Sequence, residues 1–350
     1  MAHSSDQQRG IVLVLVLWLL VAMALVAGLV VAWSRERIAS ATADRVALQE
    51  HLDAIGSRDT LLYLAAIVPT TRAGLPLAPL RPAALADRRF DEFGGLDESP
   101  RGGELRLDGT VYAGLGGIHF QVQDEAGLVA LNQPSGPGLI ALLAAAGVPT
   151  TERASLIAAL EDYADADDLR RFNGAESREY DREGLPPPSG RPLLISREVW
   201  RVFGWSSLSA DARRRIEDLT TTAYAGALNL NTAPLPWLTA LLPDCNRSCR
   251  IRLERRAEAP FLNAAAFEAE TGTRLPGDRD VDFRTAPSDA WRLTLSGRSG
   301  RVWRIHVRST PLADQAGPWT VEATYRLTRP PSDAAPLPIP SPLFAPAPVD

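Results

Sequence analysis

Six carboxylates crowd one short stretch of this chain: Asp162, Asp165, Asp167, Asp168, Glu176 and Glu179. Oxygen ligands at such spacing suit a hard cation, Ca²⁺ above all, because it accepts several carboxylates in loose geometry. The stretch lacks the DxDxDG order and the twelfth-position Glu of an EF-hand. Arg170, Arg171 and Arg178 lie among the acids. A solvated loop with capping aspartates and arginine partners is therefore the alternative. Cys245 and Cys249 are the other candidates for chemistry, in the order Cys-Asn-Arg-Ser-Cys. A small disulfide loop suits them if the Cα atoms approach within about 7 Å. Redox catalysis would call for Cys-x-x-Cys. A zinc site would need two further ligands, and His3, His51, His119 and His306 are scattered. Gly-x-Ser-x-Gly, a phosphate loop and HExxH are all missing, so the chain reads as non-enzymatic.

The elements that must position these residues begin with a membrane span. Residues 11–33 carry no charge, and a run of that length crosses a hydrocarbon core of roughly 30 Å as a helix. Arg9 precedes the run while Arg35 and Arg37 follow it, so positive charge does not decide its orientation. Beyond it, Ile38, Ala41, Leu48, Leu52, Ile55, Leu62 and Ala66 fall at helical steps. The spacing predicts one helix over about 11–67, ended by Pro69. A chain of 350 residues with 45% hydrophobic residues can bury a sizeable core in two or three units. Its net charge of −5 argues against bulk electrostatic binding to nucleic acid or anionic lipid.

After a loop rich in Pro, Ala and Arg, strand patterns begin. Residues 104–107 and 110–112 read as a hairpin turned by Asp108-Gly109, and Ile118, Phe120 and Val122 alternate with polar residues. Residues 131–280 are helical in pattern and repeat themselves. Leu131-Asn132, Pro137, Leu139 and Ala141-Leu142-Leu143 recur as Leu230-Asn231, Pro236, Leu238 and Ala240-Leu241-Leu242, which predicts two related subdomains. Strands return at Trp291–Leu295, Trp303–Val307 and Val321–Leu327, the first two joined by a turn at 297–300. The fold class is α+β, one antiparallel sheet interrupted by a large helical insertion. Residues 330–350 are dominated by Pro and Ala and read as a disordered tail.

Arg9-Gly10 sits directly before the hydrophobic run, behind a short polar leader. This resembles the class III signal of type IV pilin-like proteins, which a prepilin peptidase cuts after the Gly on the cytoplasmic side. Processing would fall between Gly10 and Ile11. The segment Leu228-Asn229-Leu230-Asn231-Thr232-Ala233-Pro234, the run Asp162-Tyr163-Ala164-Asp165-Ala166-Asp167, and Gly174-Ala175-Glu176 with Tyr180 narrow the family. Together they resemble the type II secretion minor pseudopilin K family, also called general secretion pathway protein K, over nearly the whole chain.

The resemblance implies a leader at 1–10, a transmembrane helix at 11–33, and a pilin-like helix with first strands at 34–130. It further implies a helical insertion at 131–280, SAM-like or helix-hairpin-helix-like, and the closing pilin strands at 281–329. The N-terminus would be cytoplasmic and the body periplasmic. The implied partners are the minor pseudopilins I and J, the major pseudopilin, prepilin peptidase, the inner-membrane secretion platform and exported proteins. Most pseudopilins carry Glu at the fifth mature position, where this chain has Leu15. A subunit without that carboxylate need not dock beneath another, which suits an assembly role at the fibre tip; the bland reading of Leu15 is one more apolar residue in a membrane helix. Some family members bind calcium in the periplasmic body. The rival reading is an envelope DNA-binding protein that uses the helix-hairpin-helix-like segment with Arg247, Arg250, Arg252, Arg255 and Arg256. Those arginines also suit an exposed helix face.

Overall fold

A computed structural model describes residues 6–77, 98–133, 137–310, 317–327, 337–341 and 343–344. The first five residues of the expected leader, residues 78–97 of the Pro-rich loop and most of the tail lie outside the described residues. The chain divides into two units, residues 1–53 and 54–350.

The first helix, α1, runs over Asp6–Ile67. In the first unit its apolar residues face outward, Leu13 at 73% exposed and Leu25 at 70%. Its most apolar 18-residue window has a mean hydropathy of 3.0 and is 0% buried. Among the described residues it is the one helix long and apolar enough to cross a membrane. So large an apolar surface is stable in lipid and not in water. The helix is a single-pass membrane anchor. The expected stripe is corrected beyond the anchor: Ile38, Leu48 and Leu52 remain exposed. In the second unit the buried face is carried by Ala54, Ser57, Leu61 and Leu64, again at three- and four-residue steps.

The second unit holds an antiparallel five-stranded sheet. Its strands are β1 (Asp108–Ala113), β2 (His119–Asp124), β7 (Ala290–Ser296), β8 (Val302–Ser309) and β9 (Trp319–Leu327), in that spatial order. Leu61, Leu62 and Leu64 of α1 join Phe120, Val122, Leu293, Leu295, Ile305 and Val307 in one core. The opposite face is covered too, which is why Arg292, Thr294, Arg304 and His306 are buried despite their place in an alternating pattern.

Three expectations are revised. Asp108-Gly109 starts β1 as a bulge and does not turn a hairpin; Asp108 Oδ1 accepts the Thr110 N–H at 3.1 Å, and Gly109 takes φ +80°. Leu105 pairs instead with Leu75. The sheet ends on β9, where Val321 is exposed because a register shift between His306 and Val307 turns the strand. The described part of the tail is ordered. Ile339 bonds both Ala113 and Val111 at the β1 edge, and the Phe344 ring stands edge-on to Phe120 at 5.5 Å.

Between β2 and β7 the chain builds two lobes. The first begins at β3 (Val129–Ala130), passes through α2 (Pro137–Ala145), α3 (Thr150–Ala164), α4 (Ser177–Arg182) and α5 (Ala210–Leu219), and closes at β4 (Thr220–Thr221). The second begins at β5 (Leu228–Asn229), passes through α6 (Leu235–Leu241), α7 (Arg247–Arg255) and α8 (Ala264–Thr271), and closes at β6 (Phe283–Arg284). Each lobe is clasped by a parallel pairing of its own ends, β3 with β4 and β5 with β6.

The internal repeat is physical. Asn132 Nδ2 donates to Leu193 O and its Oδ1 accepts the Leu193 N–H, while Asn231 does the same with Phe261. Each Asn thus ties its lobe's opening turn to a distant backbone segment, using a short amide that bonds in both directions. The equivalent helices α2 and α6 meet where the Trp237 indole donates to Gly138 O at 3.0 Å.

Candidate functional site

Helix α3 ends at Ala164, and α4 starts at Ser177. The connecting loop carries most of the acidic run. Oxygens of Asp162, Asp165 and Glu176 all lie within 4.8 Å of one another. The fold brings these three acids together and gives the other three different work. Asp167 accepts its own loop's Leu169 N–H, and Asp168 accepts from Ser177. Glu179 accepts the Glu176 N–H at 3.2 Å, which holds its carboxyl below the ordinary value and pins the start of α4. Of the six expected carboxylates, three thus converge on one place.

Close approach makes the site possible. A Cβ on Gly174 would lie 1.9 Å from Asp162 Oδ2, so only Gly fits against that carboxylate. Asp162 is buried, and its Oδ1 accepts from Arg171 Nη1 at 2.9 Å. The same Nη1 bonds Asp165, and Arg171 Nε stands 3.2 Å from Glu161. Glu176 has no such partner. It is 5% exposed, and its Oε1 is buried without a hydrogen bond. Asp165 Oδ1 is in the same condition. Burial, then the charges of Asp162, Asp165, Asp168 and Asp167, push the Glu176 carboxyl up to about 7. Orphaned oxygens on two of the three converging carboxylates fit a hard cation.

A second polar cluster, which sequence reasoning missed, lies where the lobes join the sheet. Asp124, at the end of β2, is fully buried and accepts five bonds. They come from Ala126 N, Ser288 N, Ser288 Oγ at 2.6 Å, Asn229 Nδ2 at 2.7 Å and Thr232 Oγ1 at 2.9 Å. Burial raises its pKa, and these donors pull against that. The Leu-Asn-Leu-Asn-Thr-Ala-Pro segment thus has a structural reason: Asn229 and Thr232 bind the sheet, and Asn231 binds its own lobe. Beside it, Glu125 Oε1 lies 2.6 Å from His306 Nδ1, and His306 Nε2 lies 3.0 Å from the Tyr325 hydroxyl. Arg292 and Arg304 donate from the sheet to Asp218 O, Thr220 O and Glu217 O at the end of α5. They satisfy carbonyls that a helix leaves free at its C-terminus. Burial lowers the Arg292 pKa to about 10.

Cys245, in the connection after α6, is joined to Cys249 in the first turn of α7, with Cα atoms 5.3 Å apart. The arginine run beside them is not one exposed face. Arg256 is buried and donates to Asn231 O and Ala233 O, while Arg252 pairs with Glu270 and lies over Phe261. Leu15 is exposed in the anchor. Gly10 and Ile11 lie within α1, and their side-chain surroundings fall outside the described residues.

A long N-terminal apolar helix, an antiparallel sheet and a two-lobed helical insertion define an α+β fold with a single-pass membrane anchor. Residues 124–219 match the family described as Type II secretion system (T2SS), protein K. That segment runs from the buried Asp124 through the whole acidic site to the end of α5. Over that segment the chain is similar to the protein K component of type II secretion systems. Among solved structures it is similar to a chain in the crystal structure of the GspK-GspI-GspJ complex from enterotoxigenic Escherichia coli Type 2 Secretion System. Identity is 19%, coverage is 61% of this chain and 80% of that one, and the TM-score is 0.46. None of the curated proteins matches. The DNA-binding alternative finds no support in the family match.

Proposed function

We propose that this chain is a type II secretion minor pseudopilin of the K type, which caps the pseudopilus and supports protein export across the outer membrane. In this reading the leader is cut between Gly10 and Ile11 by prepilin peptidase. The body stands in the periplasm, and the anchor leaves the inner membrane as the fibre grows from the secretion platform. The observation that carries the reading is the charge-free apolar length of α1, with Leu15 where a pseudopilin that docks beneath a neighbour has Glu. A carboxylate in the bilayer is costly without a partner, and this subunit asks for none. Its exposed apolar surface would pack against the helices of I- and J-type minor pseudopilins. The lobes would face exported proteins or the outer-membrane channel. The work is mechanical, without chemical turnover.

Calcium is proposed as the ion of the acidic site, held by Asp162, Asp165 and Glu176. When bound it would supply positive charge that neutralises the cluster and fixes the α3–α4 loop. The test of the whole reading is co-expression of the full chain with I- and J-type minor pseudopilins, followed by purification in detergent. A stoichiometric complex is expected. Recovery of this chain alone under all detergents would overturn the tip assignment.

A further inference from the structure

The guanidinium of Arg171 occupies the mouth of the acidic site. It bridges Asp162 and Asp165 and reaches Glu161, yet leaves Glu176 Oε1 and Asp165 Oδ1 buried and without partners. One delocalised positive charge thus serves part of a site whose three converging carboxylates call for more. Arg171 is 42% exposed, so its side chain has room to leave. Asp162 is held in place independently by the Arg171 backbone N–H at 3.2 Å and by the wall at Gly174. Asp162 therefore keeps its position when the guanidinium departs.

We propose that Arg171 is a built-in competitor of the divalent cation, holding the site together when it is metal-free and giving up Asp162 and Asp165 when the ion enters. This rests on the calcium reading and specifies how that site is regulated. Guanidinium and ion exclude each other, because both need the same oxygens and like charges repel at such distances. The arginine sets the concentration at which calcium wins, and it prevents the naked acids from repelling one another below that concentration.

The experiment compares the full chain in detergent with its Arg171→Gln and Arg171→Lys variants, by calorimetric titration with CaCl₂ and by melting in chelator and in saturating calcium. Arg171→Gln should bind calcium about tenfold more tightly, a size set by the loss of charged hydrogen bonds to the shared carboxylates. Arg171→Lys, which keeps the charge without the fork, should fall between it and the natural chain. The Gln variant should melt earlier in chelator and equally in calcium. If the natural chain binds calcium and the Gln variant binds it no tighter, or melts earlier by the same amount in both conditions, the competitor role is overturned and the calcium site stands. Absence of calcium binding in all three proteins overturns the calcium reading itself, and the competition with it.

Discussion

Asp124 ties the sheet to the second lobe. It lies at the end of the sheet's second strand, and its donors come from the second lobe and from the segment leading into β7. Asp124→Asn would turn an acceptor-only group into one bearing an NH₂ that faces other donors. The expected loss is about 2–4 kcal/mol in chemical denaturation; an unchanged midpoint would contradict the role assigned to the network. Glu125 gives a prediction in pH. Burial opposes its ionisation, but the hydrogen bond and charge of His306, with Arg292 behind, outweigh burial and hold the carboxyl below its ordinary value of 4.5. The folded pKa is depressed. Its contribution to stability is thus present above pH 4.5 and is lost as pH falls through the lower folded value. The groups acting on it are His306, Arg292 and Thr221, with the Tyr325 hydroxyl bonded to the far side of His306. Urea midpoints measured between neutrality and pH 3 should fall in acid, and Glu125→Gln should flatten that slope. Parallel slopes in the two proteins would count against the assignment.

At the scale of elements, what happens at the sheet's two edges differs. β9 ends the sheet with its outward residues exposed. The β1 edge is covered by the chain's own residues near its C-terminus, through the bonds of Ile339 to Ala113 and Val111. Ser341 is buried there, and Phe344 covers Phe120. An open edge beside an apolar core invites pairing with other chains. A chain ending at residue 336 should lose about 2 kcal/mol, the cost of uncovering an aromatic contact and two edge hydrogen bonds. It should also aggregate sooner on storage, as read by light scattering. An equal melting temperature and equal scattering would show that this segment is dispensable.

The whole molecule combines an anchor that needs lipid with a body whose polar contacts are mostly internal. The two lobes arise from one repeated plan, each clasped at its base by parallel two-residue strands. Among the described residues the acidic site lies in the first lobe, where helix α3 is followed by the Asp-rich loop and Gly174. The second lobe has the Cys245–Cys249 link, which ties the connection after α6 to the first turn of α7. Co-purification with I- and J-type minor pseudopilins is the test that belongs to this scale, since it reads anchor and body together.

Periodicity and composition by themselves determined the anchor, the end of α1 before Pro69, the buried alternation of Ile118, Phe120 and Val122, and the hundred-residue echo of the lobes. Those features are local, or repeat along the chain, and the side-chain period of a helix or strand reports them directly. Tertiary structure decided which acids converge. Asp162 and Glu176 meet because Gly174 lets the backbone approach, whereas Asp167 and Asp168, equally acidic and equally near in sequence, are taken by Leu169 and Ser177. It also decided that Glu125 faces His306 across 181 positions of sequence, and that a Pro- and Ala-rich tail closes a sheet edge. Contacts between residues so distant in sequence have no period to betray them. They exist only because burial of a polar group demands a partner, and the fold supplies one from wherever the chain passes.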